Sequence, residues 1–410
     1  MSIGHFITAN SCSFRNYNSS TVNKPGIMDS NIVLIDGSVM EGGGQILRMS
    51  VGLSALLSKP ICITKIRAGR ASPGLKAQHL TGLTLVRDLS GGHLDGGHFG
   101  SVEITFVPGE ILSGQFSADT KTAGAVCLLA QVSIPCALFS KGPTSLNLRG
   151  GTNAQMAPQI DEYTEIFLPN ISKFGFEFEF EVLKKGFFPK GGGEVNFFMK
   201  PVKNLQPIQM TDPGVVQSIY GWSFCAGNLP IRVAEQMTAA VKKHLRGSNS
   251  CAIKGVSVDI ETYKEDFSCV SHSGSGIVLV AKTSTGCILG GSALGGPKIS
   301  PEETGIKAAE ELLEAVECGG CVDKYIQVLE ILVSALYTEF YFQDQMIIFM
   351  ALAAGHSTLV TGPLTLHTET AIHIAEKLTN AKFNIENCQD NNRAWMITCE
   401  GIGLTNKHLV

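Results

Sequence analysis

His367 stands in Gly362-Pro-Leu-Thr-Leu-His367-Thr-Glu-Thr-Ala-Ile-His373, a loop opened by Gly-Pro that runs into a helix. Ala371, Ile374, Ala375 and Leu378 form an apolar stripe at helical spacing, and Glu369, His373 and Glu376 fall on the opposite face. This pattern puts His367 in the first turn or just ahead of it. There, unpaired backbone N–H groups and the helix dipole favour an anion and disfavour an imidazolium. A neutral imidazole facing a phosphate is suited to accept a phosphoryl group. Spacing alone favours the plainer account, a histidine packed at a helix start. His373 reads only as a solvated position.

A second cluster lies near the beginning. Gly42-Gly-Gly-Gln45-Ile-Leu-Arg48 opens a helix after a strand and turn, where backbone N–H groups can cradle a phosphate. It is not a P-loop, because the Gly-Lys-Ser/Thr ending is missing, and alone it is better explained as a tight turn. Glu41 at that turn can hold a metal ion, since Mg²⁺ uses one or two carboxylates together with phosphate oxygens. Arg48, Arg67 and Arg70 offer forked donors suited to a terminal phosphate. Solvated surface arginines are the alternative, less comfortable for Arg67 and Arg70 in so charge-poor a stretch. Cys318-Gly-Gly-Cys321 is a C-x-x-C without a second pair, which gives a zinc or redox site little support.

The histidine motif resembles the C-terminal motif of the RNA 3'-terminal phosphate cyclases. The resemblance extends in order through Ile35-Asp-Gly-Ser-Val-Met-Glu-Gly-Gly-Gly-Gln-Ile-Leu-Arg48, Ile66-Arg-Ala-Gly-Arg-Ala-Ser-Pro-Gly-Leu75, Gly150-Gly-Thr-Asn-Ala-Gln-Met-Ala-Pro158 and Phe188-Pro-Lys-Gly-Gly-Gly-Glu194. It implies that His367 accepts AMP from ATP, with Mg²⁺ or Mn²⁺ near Glu41 and Arg48, Arg67, Arg70 and Gln78 near the phosphates. It assigns Gln131 and Pro158 to ATP, with a Tyr-x-x-Asp-Gln motif met by Tyr341, Asp344 and Gln345. Tyr325 competes for the tyrosine role. Without the family, Asp344 and Gln345 read equally well as a helix N-terminus. The implied reaction turns an RNA 3'-phosphate into a 2',3'-cyclic phosphate through histidine-AMP and RNA-adenylate, releasing pyrophosphate and AMP. The implied partner is an RNA 3' end bearing a terminal phosphate, and the implied location is the nucleus. Two other identities are an inactive ribosome-assembly relative, whose branch lacks the histidine, and an enolpyruvyl transferase built from related units.

The elements behind these residues read as α/β. Helix, strand and glycine turn recur with loose similarity from residue 31, so the expected fold is repeated α/β sandwich units, for which the resemblance implies two helices on a four-stranded sheet. Helices are expected at 45–57, 78–88, 122–132 and 162–174, and strands at 32–35, 61–66, 101–107, 136–139, 177–183 and 195–199. Residues 205–213 read as a linker. Domain boundaries follow: a leader at 1–28 expected to be disordered, a large catalytic domain of 29–210 with 318–410, and a small inserted α/β domain at 211–317. Met28 can serve as the functional start.

Residues 328–343 are apolar and aromatic, and they part Tyr325-Ile-Gln327 from an Asp-Gln that directly follows it in the family. The segment reads as an insertion or a retained intron. The chain is 44% hydrophobic and 17% charged with a net charge of -4, so any RNA contact must be a local patch. Its 12 cysteines lie among Val, Leu and Ala, as buried thiols in a reducing compartment do. No apolar run reaches the length of a membrane span. Oligomeric state, preferred metal and physiological RNA leave no mark in the sequence.

Overall fold

The computed structural model describes residues 32–154, 157–323, 342–388 and 393–409. The leader, Met28, Tyr325, Tyr341 and residues 328–341 of the proposed insertion lie outside them. From Ile32 the chain builds one pattern three times. The first unit is β1 (Val33–Asp36), α1 (Gly44–Leu57), β2 (Ile61–Thr64), α2 (Ala77–Leu89), β3 (His93–Asp95) and β4 (Ile104–Val107). Its sheet has the order β1-β2-β4-β3, with β1 and β2 parallel and the other pairs antiparallel.

The second unit is β5 (Gly114–Asp119), α3 (Val126–Leu138), β6 (Thr144–Gly150), a helical run of α4 (Ile160–Glu162), a π turn (Tyr163–Phe167) and α5 (Leu168–Ser172), then β7 (Phe178–Lys184) and β8 (Gly193–Met199). Its order, β5-β6-β8-β7, repeats the first. Period-2 alternation is plain in β6 and β8, where Leu146, Leu148, Val195, Phe197 and Met199 point into the core.

The third unit begins with β9 (Gln209–Met210) and is then interrupted. The intervening module consists of β10 (Val216–Ala226), α6 (Arg232–Gly247), β11 (Val258–Lys264), β12 (Gly274–Thr283), β13 (Ile288–Leu294) and α7 (Pro301–Glu317), with the strand order β11-β10-β12-β13. Afterwards α8 (Phe342–Leu352), β14 (Ala354–Thr361), α9 (Leu366–Thr379), β15 (Lys382–Asn387) and β16 (Trp395–Ile402) complete a sheet in which β9 pairs in parallel with β14. The fold is α/β, with two helical runs on each four-stranded sheet. The helices of the three units pack on one another: α1 touches α2, α3 and α9, and α8 lies against α9 and α3. Hence α1 is buried nearly all round, from Ile46 to Leu56, and each large apolar side chain there is worth about 1.5–3 kcal/mol.

Two expectations are corrected, and several strands were missed. Residues 136–139 are not a strand: α3 runs through Pro135 to Leu138, and every position from Val132 to Leu138 is buried, so no face periodicity marks where the helix ends. Residues 205–213 are not a free linker. Gln206 N–H donates to Phe174 O at 2.8 Å, Ala354 N–H to Leu205 O at 2.9 Å, and residues 209–210 form β9 beside β14. Strands β3, β5, β14 and β15 were not foreseen: β3, β5 and β15 are largely exposed, and β14 is placed by pairing with β16 and β9.

Candidate active site

Three polypeptide stretches meet around His367. The first is the start of α9. Thr365 is its N-cap, with Oγ1 accepting from Thr368 N–H at 3.1 Å, which satisfies one of the unpaired donors of the first turn. His367 is 4% exposed. Burial first, then the guanidinium groups of Arg48 and Arg70, push its imidazolium down to about 3. The ring is therefore neutral at physiological pH, as expected of a histidine at this helix start. His373 is exposed, also as expected.

The second stretch is the turn before α1. Gly42 has φ of +59°, and a Cβ on Gly44 would stand 2.8 Å from His79 Nε2 and 2.9 Å from Arg48 Nη1. A side chain at Gly44 would have to displace these two ring and guanidinium ends, and the left-handed φ of Gly42 favours glycine there. Glu41 N–H donates to Thr370 Oγ1 at 3.4 Å, tying the turn to α9. The Glu41 carboxylate pairs with Arg70 through Oε1, and Arg70 also donates to Glu41 O at 3.0 Å. The other carboxylate oxygen, Oε2, is buried without a hydrogen-bond partner among the described residues. Arg48 Nη2 donates to Gln45 Oε1 at 2.7 Å, and burial lowers its guanidinium while Asp344 and Glu41 support the charge.

The third stretch runs from Arg67 into α2. Arg67 has φ of +53°, the left-handed region, and such strain in a residue with a side chain gathers at functional sites. Its Nη1 donates to Ser72 O at 2.8 Å and Gly74 O at 3.2 Å. Gln78 Oε1 accepts from Ala125 N–H at 2.8 Å, which fastens α2 to the start of α3.

His79 was missed by the sequence reading. Its Nδ1 accepts from Lys76 N–H at 3.2 Å. Burial, then Arg48, Arg67 and Lys76, push the ring down to about 3, so it too is neutral. Its place directly after Gln78 in a first helical turn was the available signal, but the cations around it come from other parts of the chain. A narrow cleft lined by Leu47, Arg48, Gln78, His79, Leu128 and Val132 opens among α1, α2 and α3.

Asp344 and Gln345 lie in the first turn of α8, 1% and 2% exposed. Burial raises the Asp344 carboxyl to about 8 against the pull of Arg48, so it holds a proton at neutral pH. Gln131 is half-buried on α3, with Oε1 lacking a partner among the described residues. Pro158 is buried just after Ala157, which packs with Ala125, Leu128 and Ala154 at the start of α3. Glu41, Arg48, Arg67, Arg70, His79, Asp344 and His367 are thus one electrostatic cluster, whereas Gln78, Gln131 and Pro158 are placed around α3.

The cluster offers a neutral nucleophile among cations, an arrangement suited to phosphoryl chemistry. Among the described residues, no three His, Cys, Asp or Glu side chains group to hold a metal ion. A carboxylate oxygen such as Glu41 Oε2 is of the type that can ligate a cation whose other ligands are phosphate and water.

A profile of the RNA 3'-terminal phosphate cyclase family matches residues 39–385. An RNA 3'-terminal phosphate cyclase of Drosophila melanogaster is 36% identical over 384 residues, covering 93% of this chain and 99% of that one. A probable RNA 3'-terminal phosphate cyclase of Dictyostelium discoideum is 40% identical over 378 residues, 90% of this chain and 82% of that one. A Pyrococcus furiosus cyclase is 35% identical over 87% of this chain and 95% of its own. The fold together with these matches marks an α/β enzyme of the ligase type. The chain belongs to the RNA 3'-terminal phosphate cyclase family.

Proposed function

We propose that this chain uses ATP to convert an RNA 3'-terminal phosphate into a 2',3'-cyclic phosphate, with AMP carried on His367. The observation that carries the proposal is the buried, neutral imidazole held at the start of α9 beside Arg48 and Arg70. In the first step an imidazole nitrogen attacks the α-phosphorus of ATP, an N–P bond forms and pyrophosphate leaves. Arg48 lies where it can offset negative charge as that bond breaks. In the second step an oxygen of the RNA 3'-phosphate attacks the same phosphorus, the N–P bond breaks and the neutral imidazole returns. The neighbouring ribose 2'-OH then attacks the activated terminal phosphorus, AMP departs and the ring closes.

Arg67 and Arg70 are assigned to the RNA phosphate. Gln78 joins them by holding the start of α3, and Gln131, Pro158, Asp344 and Gln345 form the ATP side. Mg²⁺ or Mn²⁺ beside Glu41 would neutralise phosphate charge. Because the reacting groups are a terminal phosphate and a 2'-OH, recognition is of an RNA end rather than of a base sequence. No helix among the described residues is long and apolar enough to cross a membrane. The proposed nuclear location is tested by imaging a tagged chain.

The direct test supplies ATP and an RNA labelled in its 3'-phosphate. The expected RNA product has a terminus resistant to phosphatase, and the reaction releases AMP and pyrophosphate from ATP. A terminus that stays phosphatase-sensitive while the protein still takes up AMP would overturn the substrate assignment.

A further inference from the structure

Phe99 stands in the turn that follows β3 and is 66% exposed. That turn is fastened to the loop that carries the arginines. Leu75 N–H donates to Ser101 O at 2.9 Å, Gly100 N–H to Leu75 O at 2.8 Å, and Ile66 N–H to Val102 O at 2.9 Å. Ser101 N–H closes the turn on His98 O at 3.1 Å. Gly74 has φ of +81°, and a Cβ there would run into Gly100 O. Phe99 is thus held beside the segment to which Arg67 Nη1 donates, at Ser72 O and Gly74 O.

Lys76 joins the ring to the active site. Its Nζ stands 5.6 Å from the centroid of the Phe99 ring and donates to Ser72 Oγ. Its backbone N–H donates to His79 Nδ1 at 3.2 Å. A single exposed aromatic side chain is ordinary on a protein surface, and a cation over an exposed ring stabilises it only slightly. What sets Phe99 apart is its direct contact with a lysine that also touches the Arg67 loop and His79. The ring belongs to none of the apolar clusters among the described residues, so the core does not account for it.

We propose that Phe99 and Lys76 form a stacking site for the single-stranded RNA just upstream of the reacting end. An unstacked base lies on the Phe99 ring, and the Lys76 ammonium meets a backbone phosphate. This rests on the assignment of Arg67 and Arg70 to the RNA 3'-phosphate. An aromatic ring beside a cation suits a single strand of any sequence, because every base has a π-face and every nucleotide a phosphate. With a net charge of -4 the chain gives RNA no general attraction, so the nucleotides behind the terminal phosphate need a local pair of this kind. The proposed ATP side is built from other elements: Gln131 is on α3, and Asp344 and Gln345 are on α8.

The test measures two quantities for the wild type, Phe99→Ala and Phe99→Trp. One is ATP-dependent cyclisation of a short single-stranded oligouridylate ending in a 3'-phosphate, and the other is equilibrium binding of the same RNA. Phe99→Ala should raise the KM for RNA and weaken binding by about fivefold or more, the lower end of what a base stacked on an aromatic ring contributes. AMP uptake from ATP without RNA reports that the variant is folded. Phe99→Trp should restore both quantities. An oligomer with abasic sugars upstream of its terminal nucleotide should lose the same factor with the wild type and nothing more with Phe99→Ala.

Unchanged KM and binding in Phe99→Ala, or a further loss on the abasic RNA, would overturn the stack. A raised ATP requirement for AMP uptake would give the ring to ATP instead. Lys76→Gln should flatten the salt dependence of RNA binding, and an unchanged slope would remove Lys76 from the backbone contact. RNA that binds in a Phe99-dependent way but is never cyclised would overturn the proposed reaction and leave the stacking site standing. Full turnover indifferent to Phe99 would do the reverse.

Discussion

The chemistry of His367 rests on its neutrality, and that has a sign that can be measured. In the unfolded chain a histidine takes up a proton near pH 6.5, but the folded site resists until about 3. The unfolded state therefore binds the extra proton between those values, and stability is lost as pH falls through that window. At pH 5 the loss from this one group is about 2 kcal/mol. Denaturant titrations of the wild type and His367→Asn at pH 7 and pH 5 should show a smaller pH effect in the variant; equal slopes would mean that the ring is not held neutral. Arg67→Ala and Arg70→Ala should each weaken AMP transfer to RNA by 10-fold or more, roughly the worth of a charge-assisted hydrogen bond of about 1.5–3 kcal/mol, and disturb self-adenylylation less. Equal losses in both half-reactions would put these arginines on the ATP phosphates instead. His367, Glu41 and the arginines were legible because their motifs stand whole in the sequence. His79 was not, because what makes it notable is a set of cations brought to it by folding.

The cap of α9 offers a sharper test of positioning than the nucleophile does. Thr365 holds the first turn through Thr368 N–H, so Thr365→Ala should cost about 1 kcal/mol of stability and lower AMP uptake as well, because His367 is only two residues away. Thr365→Ser keeps the oxygen and should restore both; a serine variant as slow as the alanine one would remove the cap from the account. A helix with a clear stripe, such as α9, could be read from the sequence, whereas the capping box of Ser300 and Glu303 on α7 is seen in the structure. α3 could be found but not bounded, since its sides are alike in apolarity. β14 hid for a different reason: Ala354-Gly-His-Ser carries no strand pattern, and its place comes from pairing with β16 and β9.

Where the intervening module meets the rest of the chain, and within it, buried acidic groups cluster around β13. Glu162 Oε2 accepts from Ser292 Oγ at 2.8 Å, Glu311 accepts from Ser292 N–H at 2.5 Å, and Asp323 accepts from Gly290 N–H at 2.7 Å. Burial raises all three carboxyls, Glu162 to about 7. A folded-state value above the unfolded one means stability falls as pH rises from about 4.5 to about 7, where the folded chain still holds the proton. Glu162→Gln mimics the protonated form and should stabilise the protein at pH 8 by on the order of 2 kcal/mol, with little effect at pH 5. A variant less stable than wild type at pH 8 would show that Glu162 works as a carboxylate. None of this could be read from the sequence, where Glu162, Ser292, Glu311 and Asp323 are scattered through separate elements. The repeat itself was readable, but not that its third copy opens with two residues in what looked like a linker.

The measurement that bears most directly on the whole account is incubation with ATP labelled at the α-phosphorus, followed by acid and alkali treatment and peptide mapping. The account predicts one labelled peptide with AMP on His367, lost in acid as a phosphoramidate is, stable in alkali, and missing from a folded His367→Ala variant. Label retained by His367→Ala, or mapped to any residue other than His367, would contradict it.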